Sequence, residues 1–254
     1  MPETFRSISS AYAAARSGAA LDYATQLIRE SLRAVVPVLT SAVVLDLGCG
    51  YSNLSFAEWL PCAAKVVGVD RRQEAVKRHP HLDFRIVGDI ENSPLVDGSV
   101  DVVISSFVME HVEDPKAVLR ECQRVLKPNG IAIFLTPCLF GYKTLVARLS
   151  GDRLSNLIWK ILKGKPHPPW PDYYRANTPG KIRSLCALSG LVLERLVFIP
   201  ELPHFFYNSP LLFAGARAWD QILEFAHLPM LHNGMAYALR RPAAAAGQTV
   251  RGES

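Results

Sequence analysis

Compact apolar runs recur through the first half of the chain, at 42–47, 65–69, 84–87, 100–105 and 131–135. None alternates apolar with polar residues, which is the mark of strands buried on both faces. Helical stretches separate them, and this interleaving predicts βαβ units around a parallel sheet. Upstream, Leu21, Ala24, Leu27, Ile28, Leu32 and Val35 keep helical spacing until Pro37, predicting an amphipathic helix that ends there. A first crossover helix is expected to close at 58–61 and a second to span 73–78. A third is expected over 114–126, with Asp114 as its cap, Pro115 in its first position and Pro128-Asn129-Gly130 as its stop.

Beyond Pro137 the regularity lapses until Thr178. A helix over 179–188, Gly190 and a strand over 191–199 restore it, and a second irregular stretch, 200–233, precedes a last strand over 235–240. Interruptions of this length exceed ordinary connections. They are expected to cap the carboxyl edge of the sheet, where open α/β sheets bind ligands. The expected organisation is one domain over 1–241, with its core at 38–137 and 179–241, cap insertions at 138–178 and 200–233, and a flexible Ala-rich tail over 242–254.

Candidate chemistry begins where the first strand meets Gly48-Cys49-Gly50. Glycines there tolerate positive φ and carry no Cβ, so a ligand can approach backbone N–H groups at the start of the following segment. Asp70 ends the second strand 20 residues beyond Gly50, where a carboxylate can accept both ribose hydroxyls. Charge bears on which nucleotide fits: a carboxylate at Asp46 is poorly placed beside a pyrophosphate but suits a sulfonium and an ammonium. Asn53, where a dinucleotide fold wants Gly or Ala, points the same way. S-adenosyl-L-methionine (SAM) meets these conditions. Arg71 and Arg72 support the rival reading, an oxidoreductase holding the 2′-phosphate of NADP, and a non-catalytic SAM-binding protein is a second rival.

The segments VLDLGCG at 44–50, VVGVD at 66–70, GDIENSPLVDGSVDVVISSFVMEHVEDP at 88–115 and LRECQRVLKPNGIAIFLTP at 119–137 resemble class I SAM-dependent methyltransferases. The likeness is to the small-molecule group that includes ubiquinone-biosynthesis O-methyltransferases, and it fades after Pro137. It implies a Rossmann-like α/β fold with a mainly parallel seven-stranded sheet and helices on both faces. It further implies that Asp46, Gly48, Cys49 and Gly50 surround the methionyl part of the cofactor, that Asp70 and Arg71 lie at the ribose, that Asp89 with the Ile90 backbone holds adenine, and that Phe107 to His111 borders the transferable methyl. Ser52 departs from the commoner glycine turn.

Methyl transfer needs alignment and exclusion of water more than it needs acid–base help. A hydroxyl acceptor must still lose a proton, and His111 is the candidate base, with Glu110 as its orienting group or as a residue facing the cofactor. Residues 153–165 place Leu154, Leu157, Ile158, Ile161 and Leu162 on one helical face beside Arg153, Lys160, Lys163 and Lys165. Residues 205–225 add Phe205, Phe206, Tyr207, Trp219 and Phe225. These stretches are expected to wall a small-molecule or lipid-like acceptor site, with peripheral contact at a membrane surface as one form of it. His167, His204, Trp170, Tyr173 and Tyr174 are further candidates for that wall.

At 49% hydrophobic and 20% charged over 254 residues, the chain is not disordered in bulk. It has no run of about 18 apolar residues and no signal-peptide order at its start, so a cytoplasmic protein is expected. The 5 cysteines form neither a disulfide framework nor a CxxC knuckle, and no metal is expected. The net charge of +5 comes from dispersed basic residues, so nucleic acid is not an expected partner.

Overall fold

A computed structural model describes residues 28–30, 32–37, 39–142, 144–145, 171–200 and 210–243. Seven strands form one sheet: β1 (Val43–Leu47), β2 (Lys65–Asp70), β3 (Phe84–Val87), β4 (Val100–Ser106), β5 (Leu126–Pro137), β6 (Val192–Ile199) and β7 (Gly234–Arg240). Their spatial order is β3-β2-β1-β4-β5-β7-β6. The pairs from β3 through β5 are parallel, and β7 runs antiparallel to both β5 and β6. The order reverses between β1 and β4, which opens a crevice at their carboxyl ends.

Side-chain alternation along each strand splits the core in two. Leu45, Leu47, Val67, Val69 and Val103 pack with the apolar faces of α2 (Pro115–Val125) and α3 (Pro179–Ser189). Val44, Val66, Val102, Ile104 and Ile133 meet Ile28, Leu32, Val35, Phe56 and Leu60 on the other face, together with Val76 of α1 (Gln73–Arg78). The α2 cap is the expected one: the Asp114 carboxylate accepts the N–H groups of Lys116 (3.0 Å) and Ala117 (3.2 Å), and Pro115 stands in the first turn. Thr178 caps α3, and Gly190 ends it at φ +74°.

Several local expectations are corrected. The crossover expected to close as a helix at 58–61 is a succession of turns over 54–59, followed by one 3-10 turn at Leu60–Cys62. Strand β5 does not wait for Ile131. It starts at Leu126 and runs through Pro128-Asn129-Gly130, with a register shift opposite Val100/Val102 and Asn129 at φ +65°. This is a bulged strand and not a helix stop. The irregular stretch expected at 200–233 contains a 16-residue helix, α4 (Pro210–Phe225).

Both long connections leave from the carboxyl edge, since Pro137 and Ile199 each pair with Gly234 there. Residues 21–27, the amphipathic stretch 153–165, His167, Trp170, His204, Phe205, Phe206, Tyr207 and the tail over 244–254 lie outside the described residues. Among the described residues, no helix is long and apolar enough to cross a membrane.

Candidate functional site

The crevice is a cleft of about 980 Å³, ample for a nucleoside-sized ligand together with a small acceptor. Its wall is built from successive strand ends: 48–55 after β1, Asp70 to Arg72 after β2, Ile90 and Glu91 after β3, and Ser106 to Val108 after β4. His111, Val112, Glu113, Asp114, Pro171 and Tyr173 complete it.

The glycine turn is tied down onto β2. The N–H groups of Gly48 (2.8 Å) and Cys49 (3.2 Å) both donate to the Val69 carbonyl, and that of Gly50 donates to Asp70 Oδ2 (2.9 Å). These three donors therefore lock the turn instead of facing a ligand, which corrects the expectation drawn from the glycines. Gly48 (φ +73°) is required twice over, because a Cβ there would lie 2.5 Å from Val108 Cγ2. Cys49 is buried in the same turn, and burial pushes its thiol up to about 12, so it is an inert wall residue.

Asp70 reaches the cleft wall as expected. Its Oδ1 accepts the Arg72 N–H at 2.8 Å and lies 3.2 Å from Arg72 Nε, while the Arg72 guanidinium stacks over Tyr51 at 5.5 Å. With the Gly50 N–H and Arg72 Nη2 (3.4 Å) on Oδ2, all of its about four acceptor positions are engaged, so a ribose diol at Asp70 would take the places of the two guanidinium bonds. Arg71 pairs with Asp89 at 2.7 Å, and Asp89 also accepts the Glu91 N–H at 3.0 Å. Burial works against Asp89, but these donors outweigh it and hold its carboxyl below the usual range. Each arginine on which the NADP reading depended is thus held by a carboxylate. Asp89 itself stands outside the wall, and its neighbours Ile90 and Glu91 form it.

Asp46 is the clearest correction. Alternation along β1 turns it to the face of Val44, away from the cleft, where it accepts the Asn53 Nδ2–H at 2.8 Å and lies 3.5 Å from His79 Nε2. Both side chains of the Asp46–His79 pair are fully buried. Burial raises the Asp46 carboxyl despite His79 and Asn53. Asp46 is joined to the cleft wall by its bond to Asn53, which lines that wall. His79, at the end of α1, is a partner that its local sequence did not announce.

At the far end, Phe107 lines the cleft at φ +56°, with its N–H donating to the Leu135 carbonyl (2.8 Å). A non-glycine residue held in the left-handed region marks a strained position of the kind that clusters at binding sites. His111 sits in a 3-10 turn (Met109–His111), five residues past β4 and not at the strand end. Its Nδ1 lies 2.9 Å from Asp172 Oδ1 and 3.2 Å from the Pro171 carbonyl oxygen. Burial opposes protonation of the ring, but Asp172 and the Glu110 charge outweigh it and raise its pKa.

Glu110 neither bonds His111 nor lines the cleft. It is buried beneath the turn, accepting the Thr136 hydroxyl at 3.1 Å, and burial pushes its carboxyl up to about 7. Asp172, absent from the sequence-derived candidates, pairs with His111 here, and Glu91, also absent from them, lines the cleft. Neither lies in a spacing that would flag it. Tyr173 joins the wall as expected.

The lining fits the adenosyl sulfonium ligand that the resemblance implies: Asp70, Ile90 and Glu91 stand on the wall, and the N–H groups of Gly48 to Gly50 are not free for a phosphate. Comparison with known proteins agrees. Residues 45–134 match the family described as "Methyltransferase domain". A malonyl-(acyl-carrier protein) O-methyltransferase of Yersinia pestis is 33% identical over 163 residues, which make up 62% of this chain and 57% of that protein. A ubiquinone biosynthesis O-methyltransferase of Thiobacillus denitrificans is 30% identical over 166 residues, covering 62% of this chain and 68% of the relative.

The chain spans little more than half of the Yersinia relative, and 37% of a probable SAM-dependent methyltransferase of Mycolicibacterium smegmatis. The fold is shared with a SAM-dependent methyltransferase from Mesorhizobium loti at a TM-score of 0.55 and 21% identity, covering 84% of this chain and 96% of that one. With the sheet order, the glycine turn and the β2-terminal Asp70 all in place, the chain belongs to the class I SAM-dependent methyltransferases.

Proposed function

We propose that this protein transfers a methyl group from SAM to the oxygen of a small, apolar acceptor. The observation that carries the reading is a cleft that Asp70 and His111 both line. When bound, the cofactor supplies a methyl on a positively charged sulfur, an already activated leaving group. Asp70, Ile90, Glu91 and the Gly48–Gly50 turn would hold it. Phe107 and Val108 form apolar wall, excluding water from the reacting centre. His111 receives the acceptor's proton.

Two long connections at the carboxyl edge support an added cap within one domain. An apolar acceptor is supported by Phe107, Val108 and Val112 on the cleft wall, and α4 with the turn after it presents an apolar outer surface, where Leu211 is 82% and Phe225 88% exposed, with Ile222 and Met230 also outward. Peripheral contact with a membrane surface belongs to the same reading.

The test is incubation with methyl-labelled SAM and an organic extract of cells. Label in an extractable product is expected, together with a melting-temperature rise on adding SAM and none on adding NADP. Stabilisation by NADP alone, or SAM binding with no transferred label, overturns the proposal.

A further inference from the structure

The surroundings of His111 determine which of its nitrogens can act as a base. Both neighbours of Nδ1, the Asp172 carboxylate and the Pro171 carbonyl, are acceptors at neutral pH. Nδ1 must therefore carry the hydrogen, and the lone pair of the neutral ring is on Nε2. Nε2 has no hydrogen-bond partner among the described residues.

Asp172 is itself fixed to the turn that carries His111. On its C-terminal side, the N–H groups of Tyr173 (2.7 Å) and Tyr174 (3.1 Å) donate to the Glu110 carbonyl, and Arg175 Nη1 donates to the Glu113 carbonyl at 2.6 Å. The Tyr174 hydroxyl donates to the second carboxylate oxygen, Asp172 Oδ2, at 3.4 Å. A segment from the long β5–α3 connection is thereby clamped beside the imidazole, holding the carboxylate against one nitrogen.

The charges around this end of the cleft bear on the acceptor. Glu91, Glu113 and Asp114 share the wall with His111, Asp172 pairs with its ring, and Glu110 lies beneath it. The nearby cations are engaged: Arg71 with Asp89, Arg72 with Asp70, and Arg175 with the Glu113 carbonyl and the Tyr173 ring. A carboxylate acceptor is already a nucleophile, has no proton to give up, and would enter among like charges. A neutral hydroxyl meets none of that repulsion and needs a base.

Building on the methyl-transfer reading above, we propose that Asp172 is a positioning residue that fixes His111 as the Nδ1–H tautomer with a basic Nε2, and that the acceptor is a neutral hydroxyl and not a carboxylate. The acceptor O–H bond breaks with its proton passing to Nε2 and its electron pair staying on oxygen. That oxygen forms the new bond to the methyl carbon of the sulfonium donor, whose sulfur keeps the electrons of the broken C–S bond. The products are a methyl ether, the neutral thioether and an imidazolium that returns its proton to water.

The two acceptor classes demand opposite pH behaviour. With a hydroxyl acceptor the rate rises as pH passes up through the His111 pKa. A carboxylate would be bound by the imidazolium, and the rate would fall over the same range. Asp172→Asn removes the negative partner, so the rising limb moves to lower pH while turnover drops by about 10²-fold and the KM for SAM stays within about twofold.

Three measurements test this on the full chain. The labelled product is treated with mild alkali, which frees methanol from a methyl ester, and then with hydriodic acid, which frees methyl iodide from a methyl ether. Rates are followed against pH for the wild type, Asp172→Asn, Asp172→Glu and His111→Ala, with melting curves to confirm folding. Long-range ¹⁵N–¹H spectra of histidine-labelled protein report the His111 tautomer without any turnover.

An alkali-stable, hydriodic-acid-labile label, a rate that rises with pH, and an Nδ1–H ring that becomes mixed in Asp172→Asn and is recovered in Asp172→Glu support the proposal. Alkali-released methanol, a label stable to both treatments, or a falling pH profile overturns the acceptor class. An Nε2–H ring in the wild type overturns the role of Asp172. SAM binding with no transferred label refutes the methyl-transfer reading instead, and the spectra still decide what Asp172 does.

Discussion

Replacing Glu110 by Gln should stabilise the protein, and only above mildly acidic pH. The Glu110 side chain is buried and accepts the Thr136 hydroxyl, which in turn accepts the Asn177 Nδ2–H at 2.7 Å. Burial raises its carboxyl from 4.5 to about 7, with His111 and Thr136 offsetting only part of the effect. The folded chain therefore holds a proton that the unfolded chain releases between those two values, so stability falls as pH rises across that window and levels off above it.

At about 1.4 kcal/mol per pH unit, this interval costs the native state about 3 kcal/mol at pH 8. Gln keeps the size and the acceptor oxygen but has no charge to bury. Urea unfolding of both proteins at pH 4, 5.5, 7 and 8.5 should give curves that coincide at the acid end and diverge to about 3 kcal/mol at the alkaline end. A difference that is flat with pH, or one that favours the wild type at pH 8.5, would show that the carboxyl is not held protonated by burial.

Gly48→Ala should cost about 2–4 kcal/mol in thermal unfolding, because the added methyl meets Val108 and the backbone is held at φ +73°. Val108→Ala in the same chain should recover the steric part only. Asp70→Asn should weaken SAM binding about 30-fold by calorimetry, as expected for loss of about 2 kcal/mol of charge-assisted bonding, and an unchanged affinity would remove Asp70 from the ribose. Glu substitutions at Leu211 and Phe225, both mainly exposed, should abolish co-sedimentation with phosphatidylglycerol vesicles while leaving the melting temperature within about 2 °C. Equal sedimentation of variant and wild type would dissociate α4 from any membrane surface.

The central strands are legible because they are buried on both sides, and a short unbroken apolar run between turn residues fits little besides such a strand, whereas the edge strands β3 and β6 are largely exposed. The cap of α2 is legible for a local reason: Asp114 serves backbone groups within three residues. Helix α4 was hidden by its own surface. Leu211, Trp219, Ile222 and Phe225 are exposed while Ala216 and Leu223 are buried, so apolar residues occur all round and no stripe stands out.

In the cleft wall, Gly48, Gly50 and Asp70 are legible through their spacing and strand ends, and His111 through the ordinary pKa of its side chain and the family resemblance. Charge and the resemblance put Asp46 at the cofactor, whereas its place in β1 shares the parity of Val44, which sets it with the core. His79 and Asp172 depend on contacts across 33 and 61 positions with Asp46 and His111, and no local pattern carries such pairings.

The position of β7 bears on how the chain assembles. It is the last strand among the described residues, yet it lies between β5 and β6, matched to each along its length. Until it is synthesised, β6 has no neighbour in the sheet and one edge of β5 is bare. Both are open to pairing with other nascent chains. The far half of the sheet must therefore close late, by threading a ribbon into a waiting gap, and a chaperone that shields that gap during translation would raise the yield of native protein more than one that acts on the finished polypeptide.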